Sequence, residues 1–176
     1  MARTIRPAVL ADVDVLLAAE RAIAGVPGAL VSAPDELHAR SFADRITATL
    51  GGHGAVRVAE VDGVIVGHGA LTPMSLRAIA HIVRLDLCVH LGNARHGHGA
   101  ALLAALLAWA DATPTVHKIE LLVRASNTAA RALYVRAGFV EEGRLRDRVR
   151  LPTGGFVDDV AMARLATVPA SSASAP

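Results

Sequence analysis

The sequence predicts an α+β fold in three layers, a mixed sheet of six to seven strands flanked by about four helices, in one domain over residues 3–168. Three observations carry this. Seven short segments of apolar or alternating character read as strands, and four longer Ala/Leu-rich or capped segments read as helices. Asp62-Gly63, the strongest short hairpin signal in the chain, separates two of the strands. A strand, a glycine-containing loop, a helix and another strand then succeed one another from His81 to Val123, the order of a βαβ-like crossover.

Taken in order, Thr4–Arg6 is a short first strand. Pro7 and Asp12 introduce a helix to about Ala24, ended by Gly25 and Pro27-Gly28. A second helix is expected over Asp35–Leu50, with Asp35 and Glu36 favourably placed in its first turn, and Gly51-Gly52-His53-Gly54 breaks it. Ala55–Glu60 and Val64–Leu71 form the hairpin, and His81–Val89 is a third long strand. The helix beginning immediately beyond Gly99 must stop before Pro114. Lys118–Val123 is a strand, and Asn127–Ala137 a helix with Ser126 or Asn127 as cap and Gly138 as stop. Arg144–Leu151 and Asp158–Leu165 close the domain, and the low-complexity segment 169–176 is expected to be a disordered tail.

Of the 176 residues, 53% are hydrophobic but only 3% aromatic, so aliphatic side chains must fill the core. The apolar run Gly99–Ala110 is too short for a bilayer span and no signal-peptide pattern opens the chain, so a cytoplasmic protein without membrane contact is expected. A net charge of +2 demands no nucleic-acid partner. Cys88, the single cysteine, excludes an intramolecular disulfide and reads as small core filler.

Leu87-Cys-Val-His-Leu-Gly-Asn-Ala-Arg-His-Gly-His-Gly-Ala100 runs from strand through loop into helix. Gly97 and Gly99 let the backbone pass close to a ligand, and the first amides of the helix point at it with partial positive charge, so a pyrophosphate would fit. Gly-x-Gly alone also fits a dinucleotide fold or a plain turn; the full dinucleotide fingerprint and the P-loop are absent.

A second segment, Asn127-Thr-Ala-Ala-Arg-Ala-Leu-Tyr-Val-Arg-Ala-Gly-Phe139, adds a family resemblance. Together the two resemble the acetyl-coenzyme A signature of the GNAT acetyltransferases, a Val-x-Pro-x-x-Arg/Gln-x-x-Gly-x-Gly/Ala loop followed by an Asn-x-x-Ala-x-x-Leu-Tyr-x-x-x-Gly-Phe helix. Asn127, Ala130, Leu133, Tyr134, Gly138 and Phe139 all match the second pattern. At about 5% usage per residue, such a match at one start arises by chance on the order of ten to the minus eight. The opening Arg3–Ala8 with Asp12 and the closing Gly143–Met162 are similar to the amino-acid and ribosomal-protein acetylating branches. The loop departs from the pattern: Ala94 stands where Arg or Gln is usual, Arg95 where Gly is common and Leu91 where Pro is common.

The resemblance implies a GNAT-like acyltransferase fold and direct transfer of acetyl from acetyl-CoA to a primary amine, either a small molecule such as an amino acid or a peptide N-terminus. No acyl-enzyme is needed. It implies cofactor contacts from Leu87, Cys88, Val89, Ala94, Arg95, His96, Gly97, His98, Gly99, Ala100, Asn127 and Ala130. A backbone N–H near Leu87–Val89 would hold the thioester oxygen, and Tyr134 would protonate the coenzyme A sulfur. Arg95 with His96 or His98 would compensate electrostatically for Ala94. Asp86, alternating to the face opposite Leu85 and Leu87, is the candidate base, with Glu120 on the neighbouring strand as the other carboxylate. Dimers are common in the family and among symmetric assemblies.

Other readings compete. Tyr134 also reads as a packed helix-face ring and Asn127 as a helix cap. The histidines include Cys88-x-His90 and His96-x-His98, but the spacing of a closed zinc site is missing, so no metal is expected. Arg144, Arg146, Arg148 and Arg150 would share one strand face. Ala94 motivates a rival function, a catalytically weak coenzyme A-binding sensor.

Overall fold

The computed structural model describes residues 3–167 of the chain; the tail expected over 169–176 lies outside them. Its strands are β1 (Arg3–Pro7), β2 (Ala55–Val61), β3 (Val64–Pro73), β4 (Ile82–Val89), β5 (Lys118–Arg124), β6 (Val140–Arg150) and β7 (Phe156–Leu165). The helices among the described residues are α1 (Val13–Ala24), α2 (Ala39–Leu50), α3 (His98–Asp111) and α4 (Thr128–Arg136). None is long and apolar enough to cross a membrane.

The seven strands form one sheet in the order β1-β2-β3-β4-β5-β7-β6. Only β4 and β5, joined through α3, run parallel, as the crossover order predicts. Asp62 and Gly63, at φ 49° and 81°, form the left-handed two-residue turn of the β2–β3 hairpin.

Two apolar layers follow from strand alternation. On one face Leu16 and Leu17 of α1 and Phe42 and Ile46 of α2 cover Val56, Val58 and Ala70. On the other, Leu103, Leu106 and Leu107 of α3 pack with Tyr134 and Phe139 over Val83, Leu85, Ile119, Leu121, Val160 and Met162. The core is almost wholly aliphatic, as the low aromatic content requires.

Several boundaries differ from the sequence reading. The second helix begins at Ala39, not Asp35, because Glu36 folds back to accept the Ala33 N–H (2.8 Å) and closes a separate 3-10 turn at Pro34–Glu36; Leu37 and His38 are then extended. α3 starts at His98, so His98 and Gly99 lie in its first turn rather than in the loop. β6 starts at Val140. Its register slips between Leu145 and Val149, around Asp147 at φ 50°. That bulge breaks the alternation meant to align Arg144, Arg146, Arg148 and Arg150. Arg144 instead pairs with Asp158 at 3.2 Å, and Arg150 lies over the Phe156 ring.

Asp12 also does something other than cap α1. Its buried carboxylate accepts two Arg6 N–H bonds (2.8 and 3.0 Å) and the Val9 N–H (2.8 Å), tying β1 to the turn before α1. The Arg6 bonds hold its pKa below the ordinary carboxylate value of 3.8. A depressed pKa stabilises the fold above the unfolded value and the contribution disappears as pH falls through the folded one. Asp12→Asn is therefore expected to cost about 2 kcal/mol in urea unfolding at pH 7, and the difference between variant and parent should shrink as pH drops below about 4.

Candidate active site

The site is built where β4 and β5 part. The two strands pair only from Ile82–Arg84 to Lys118–Glu120, yet β4 continues to Val89 and β5 to Arg124. Beyond Arg84 one edge of β4 is open, while Leu87, Cys88 and Val89 pair on the other edge with Gly69, His68 and Gly67 of β3. The backbone expected to meet a thioester oxygen thus borders the gap.

The loop from β4 to α3 has the backbone form of an anion cradle. Gly92, Arg95 and Gly97 all adopt left-handed φ, of 81°, 65° and 76°. Among the described residues, none of the amides from Ala94 to Ala100 donates to a backbone carbonyl or a side chain. They lie in the loop and in the first turn of α3, where orphan N–H groups and the helix dipole favour an anion. Gly97 is demanded by its backbone conformation. Gly99 has a different reason: a Cβ there would meet Val89 Cγ2 at 3.4 Å and Leu133 Cδ2 at 3.6 Å, so its bare backbone allows α3 close contact with β4 and α4.

The charges around the loop differ from the sequence expectation. Arg3 of β1 reaches across to donate to the His96 carbonyl at 3.4 Å and lies 3.4 Å from where a Gly97 Cβ would be. Nothing in the sequence pointed to it as a loop neighbour, since it arrives from the far end of the chain. Ala94, Arg95 and His96 are exposed. His98 is buried, its Nδ1 has no partner, and burial with nearby Arg3 and His96 pushes its pKa down. That shift disfavours the positive charge by which His98 would compensate for Ala94.

Tyr134 of α4 is buried, with its ring 5.7 Å from that of Phe139. Its hydroxyl has no hydrogen bond among the described residues. Burial, and then the Asp86 carboxylate, raise its pKa to about 12. The ring packs as a core residue, and its hydroxyl keeps its proton at neutral pH. Asn127 caps α4, accepting the Ala130 N–H at 3.1 Å, so these two signature residues hold each other.

Asp86 projects from the α1/α2 face, 4.0 Å from Arg45 of α2 and 3.7 Å from Arg84. Desolvation raises its pKa, against the pull of both arginines, although its side chain is 46% exposed. Glu120 instead pairs with Lys118 at 2.9 Å. On the same face the fold brings together residues that lie far apart in the sequence. His68, opposite Cys88 on β3, meets His90, and its other nitrogen meets Glu20 of α1. The reading considered Cys88 and His90 but missed His68 and Glu20; the β3–β4 register was the only signal that would have found His68.

Comparison with known proteins decides the family. Residues 27–139 match the model of the acetyltransferase (GNAT) family. The chain belongs to the GNAT family. Its relatives include the L-amino acid N-acetyltransferase AaaT of Escherichia coli (strain K12), 31% identical over 108 residues, which are 61% of this chain and 66% of that protein. A second curated relative, 35% identical, is spanned over 39% of its length. Among solved structures, the ribosomal-protein-alanine N-acetyltransferase of Brucella melitensis aligns at TM-score 0.82 and 26% identity, over 92% of this chain and 99% of that one. The Salmonella typhimurium protein yncA with its cofactor acetyl-CoA aligns at TM-score 0.86 and 19% identity, over 99% and 100%.

Proposed function

We propose that this chain transfers the acetyl group of acetyl-CoA directly to a primary amine, of an amino acid or another small molecule or of a peptide N-terminus. The observation that carries the reading is the run of unpartnered amides from Ala94 to Ala100, which follows the end of β4 where it has parted from β5. Acetyl-CoA, when bound, supplies an activated thioester. The amides of the loop and of the first turn of α3 hold its pyrophosphate, with Arg3 offering the guanidinium that Ala94 lacks. The open edge of Leu87–Val89 gives a backbone donor for the thioester oxygen. Tyr134, protonated at every ordinary pH, has a proton for the departing sulfur. Asp86 takes the proton of the attacking amine, directly or through water. Cys88 plays no nucleophilic part: burial raises its thiol to about 12, so no thiolate forms at neutral pH.

The relatives support the chemical class. One is named for L-amino acids, one solved structure for the alanine of a ribosomal protein, and another carries acetyl-CoA. The acceptor pocket lies on the α1/α2 face, where Arg45 and Arg84 beside Asp86 suit a carboxylate-bearing amine.

A thermal melt with acetyl-CoA tests the reading. At about one hundred times its dissociation constant the ligand is expected to add roughly 2.7 kcal/mol, and amines are then screened by thiol release. Absence of a shift at about millimolar acetyl-CoA would remove the cofactor assignment. A shift without thiol release for any amine would leave the sensor reading in its place.

A further inference from the structure

Glu20, His68, Cys88 and His90 form a cluster on the α1/α2 face that acetyl transfer leaves unused. His68 of β3 pairs across the sheet with Cys88 of β4, and His90, two residues beyond Cys88, returns to the same face. His68 Nδ1 lies 3.0 Å from His90 Nε2, and Cys88 Sγ lies within 4.8 Å of a ring nitrogen of each histidine. The histidines are 4% and 8% exposed, and Cys88 is half-buried.

The outer nitrogens of both rings are already committed. His90 Nδ1 is 3.0 Å from the Ile65 carbonyl, which can only accept, so Nδ1 carries the hydrogen and Nε2 is bare in the neutral ring. His68 Nε2 is 2.8 Å from a Glu20 carboxylate oxygen. One imidazole oriented by a carboxylate and one by a backbone carbonyl, with the inner nitrogens converging, is the outer-shell arrangement of metal-ligating histidines. Without a cation, the inner nitrogen of His68 meets only the bare Nε2 of His90 among the described residues. The Cys88 thiol has no hydrogen-bond partner among the described residues.

We infer that His68 Nδ1, His90 Nε2 and Cys88 Sγ bind one divalent cation of the zinc class, with Glu20 and the Ile65 carbonyl orienting the two rings. Two imidazoles and a thiolate match zinc in softness and charge. Tetrahedral zinc, at about 2.0 Å from nitrogen and 2.3 Å from sulfur, places its ligands about 3.3–3.7 Å apart. The cluster reaches that spacing by a slight separation of the rings and an approach of the sulfur by about 1.5 Å at most. On binding, the Cys88 thiol and His68 Nδ1 each release a proton to solvent, while the contact between His68 Nε2 and Glu20 is kept. Three protein ligands leave a fourth position for water or an incoming donor atom. The inference does not rest on the acetyl-transfer reading.

Because Cys88 is the only cysteine, cobalt(II) reports on this site alone. Metal-free full-length protein is titrated with cobalt, then with zinc in competition. A sulfur-to-cobalt charge-transfer band saturating at one equivalent is the expected result. In Cys88→Ser the band should vanish and zinc affinity should fall at least tenfold, whereas Glu20→Gln should keep the band and weaken zinc about 10–100-fold. Absence of the band in the parent protein, or equal zinc affinity in parent and Cys88→Ser, would overturn the site and leave a hydrogen-bonded pair of histidines. The titration of the parent decides the question even if the serine variant fails to fold.

Discussion

Tyr134→Phe is expected to lower kcat by about 10²–10⁴-fold, the usual contribution of a positioned proton donor, with little change in melting temperature. The two effects separate because of how Tyr134 sits. Its ring packs against Phe139 in the core shared by α3 and α4, and phenylalanine keeps that packing. The hydroxyl has no partner among the described residues, so its removal strands no buried polar group. With a pKa raised to about 12, it is the acid form at neutral pH and stays so well into the alkaline range. The pH–rate profile of the parent should therefore show no loss of the donor up to about pH 10. KM for acetyl-CoA should change little, since the pyrophosphate is held elsewhere. A variant that turns over at the parent rate would make Tyr134 a packing residue only.

Gly97→Glu is expected to weaken acetyl-CoA at least a hundredfold and to erase its stabilisation in the melt, which corresponds to about 2.7 kcal/mol or more of binding energy. Three effects add. At φ 76° any side chain strains the backbone, by about 1 kcal/mol. The carboxylate then stands among the free amides of residues 94–100 where the pyrophosphate belongs, and it pairs with Arg3, whose guanidinium lies 3.4 Å from the new Cβ. Gly97→Ala separates these causes. It carries the backbone strain without the charge, so it should cost stability while retaining most of the affinity. If alanine proves as damaging to binding as glutamate, the electrostatic account of the cradle fails and loop geometry alone governs the cofactor.

Much of the architecture is written locally. Asp62-Gly63 fixes the hairpin, Gly138 at φ 88° ends the segment of α4 that Asn127 caps, and the alternation of β4 already separates Leu85 and Leu87 from Asp86. Each depends on a few adjacent residues whose turn chemistry or period is visible in the chain. The loop and the α4 signature were equally legible, because the backbone contacts they provide require particular residues at fixed spacing.

What the sequence by itself determined, then, is the set of elements, the parallel crossover and the glycine-containing turn between β4 and α3. Only the tertiary structure decided that β7 inserts between β5 and β6, that Arg3 reaches the Gly97 loop, that burial disfavours a charge on His98, and that Glu20, His68, Cys88 and His90 converge. The physical reason is common to all four. Local conformation follows from short-range sterics and hydrogen bonding, whereas which side chains meet depends on strand order and register, where a slip of one residue moves a side chain to the opposite face. Charge state follows from the same packing, since the surroundings that desolvate His98 exist only once β1, the loop and α3 have come together.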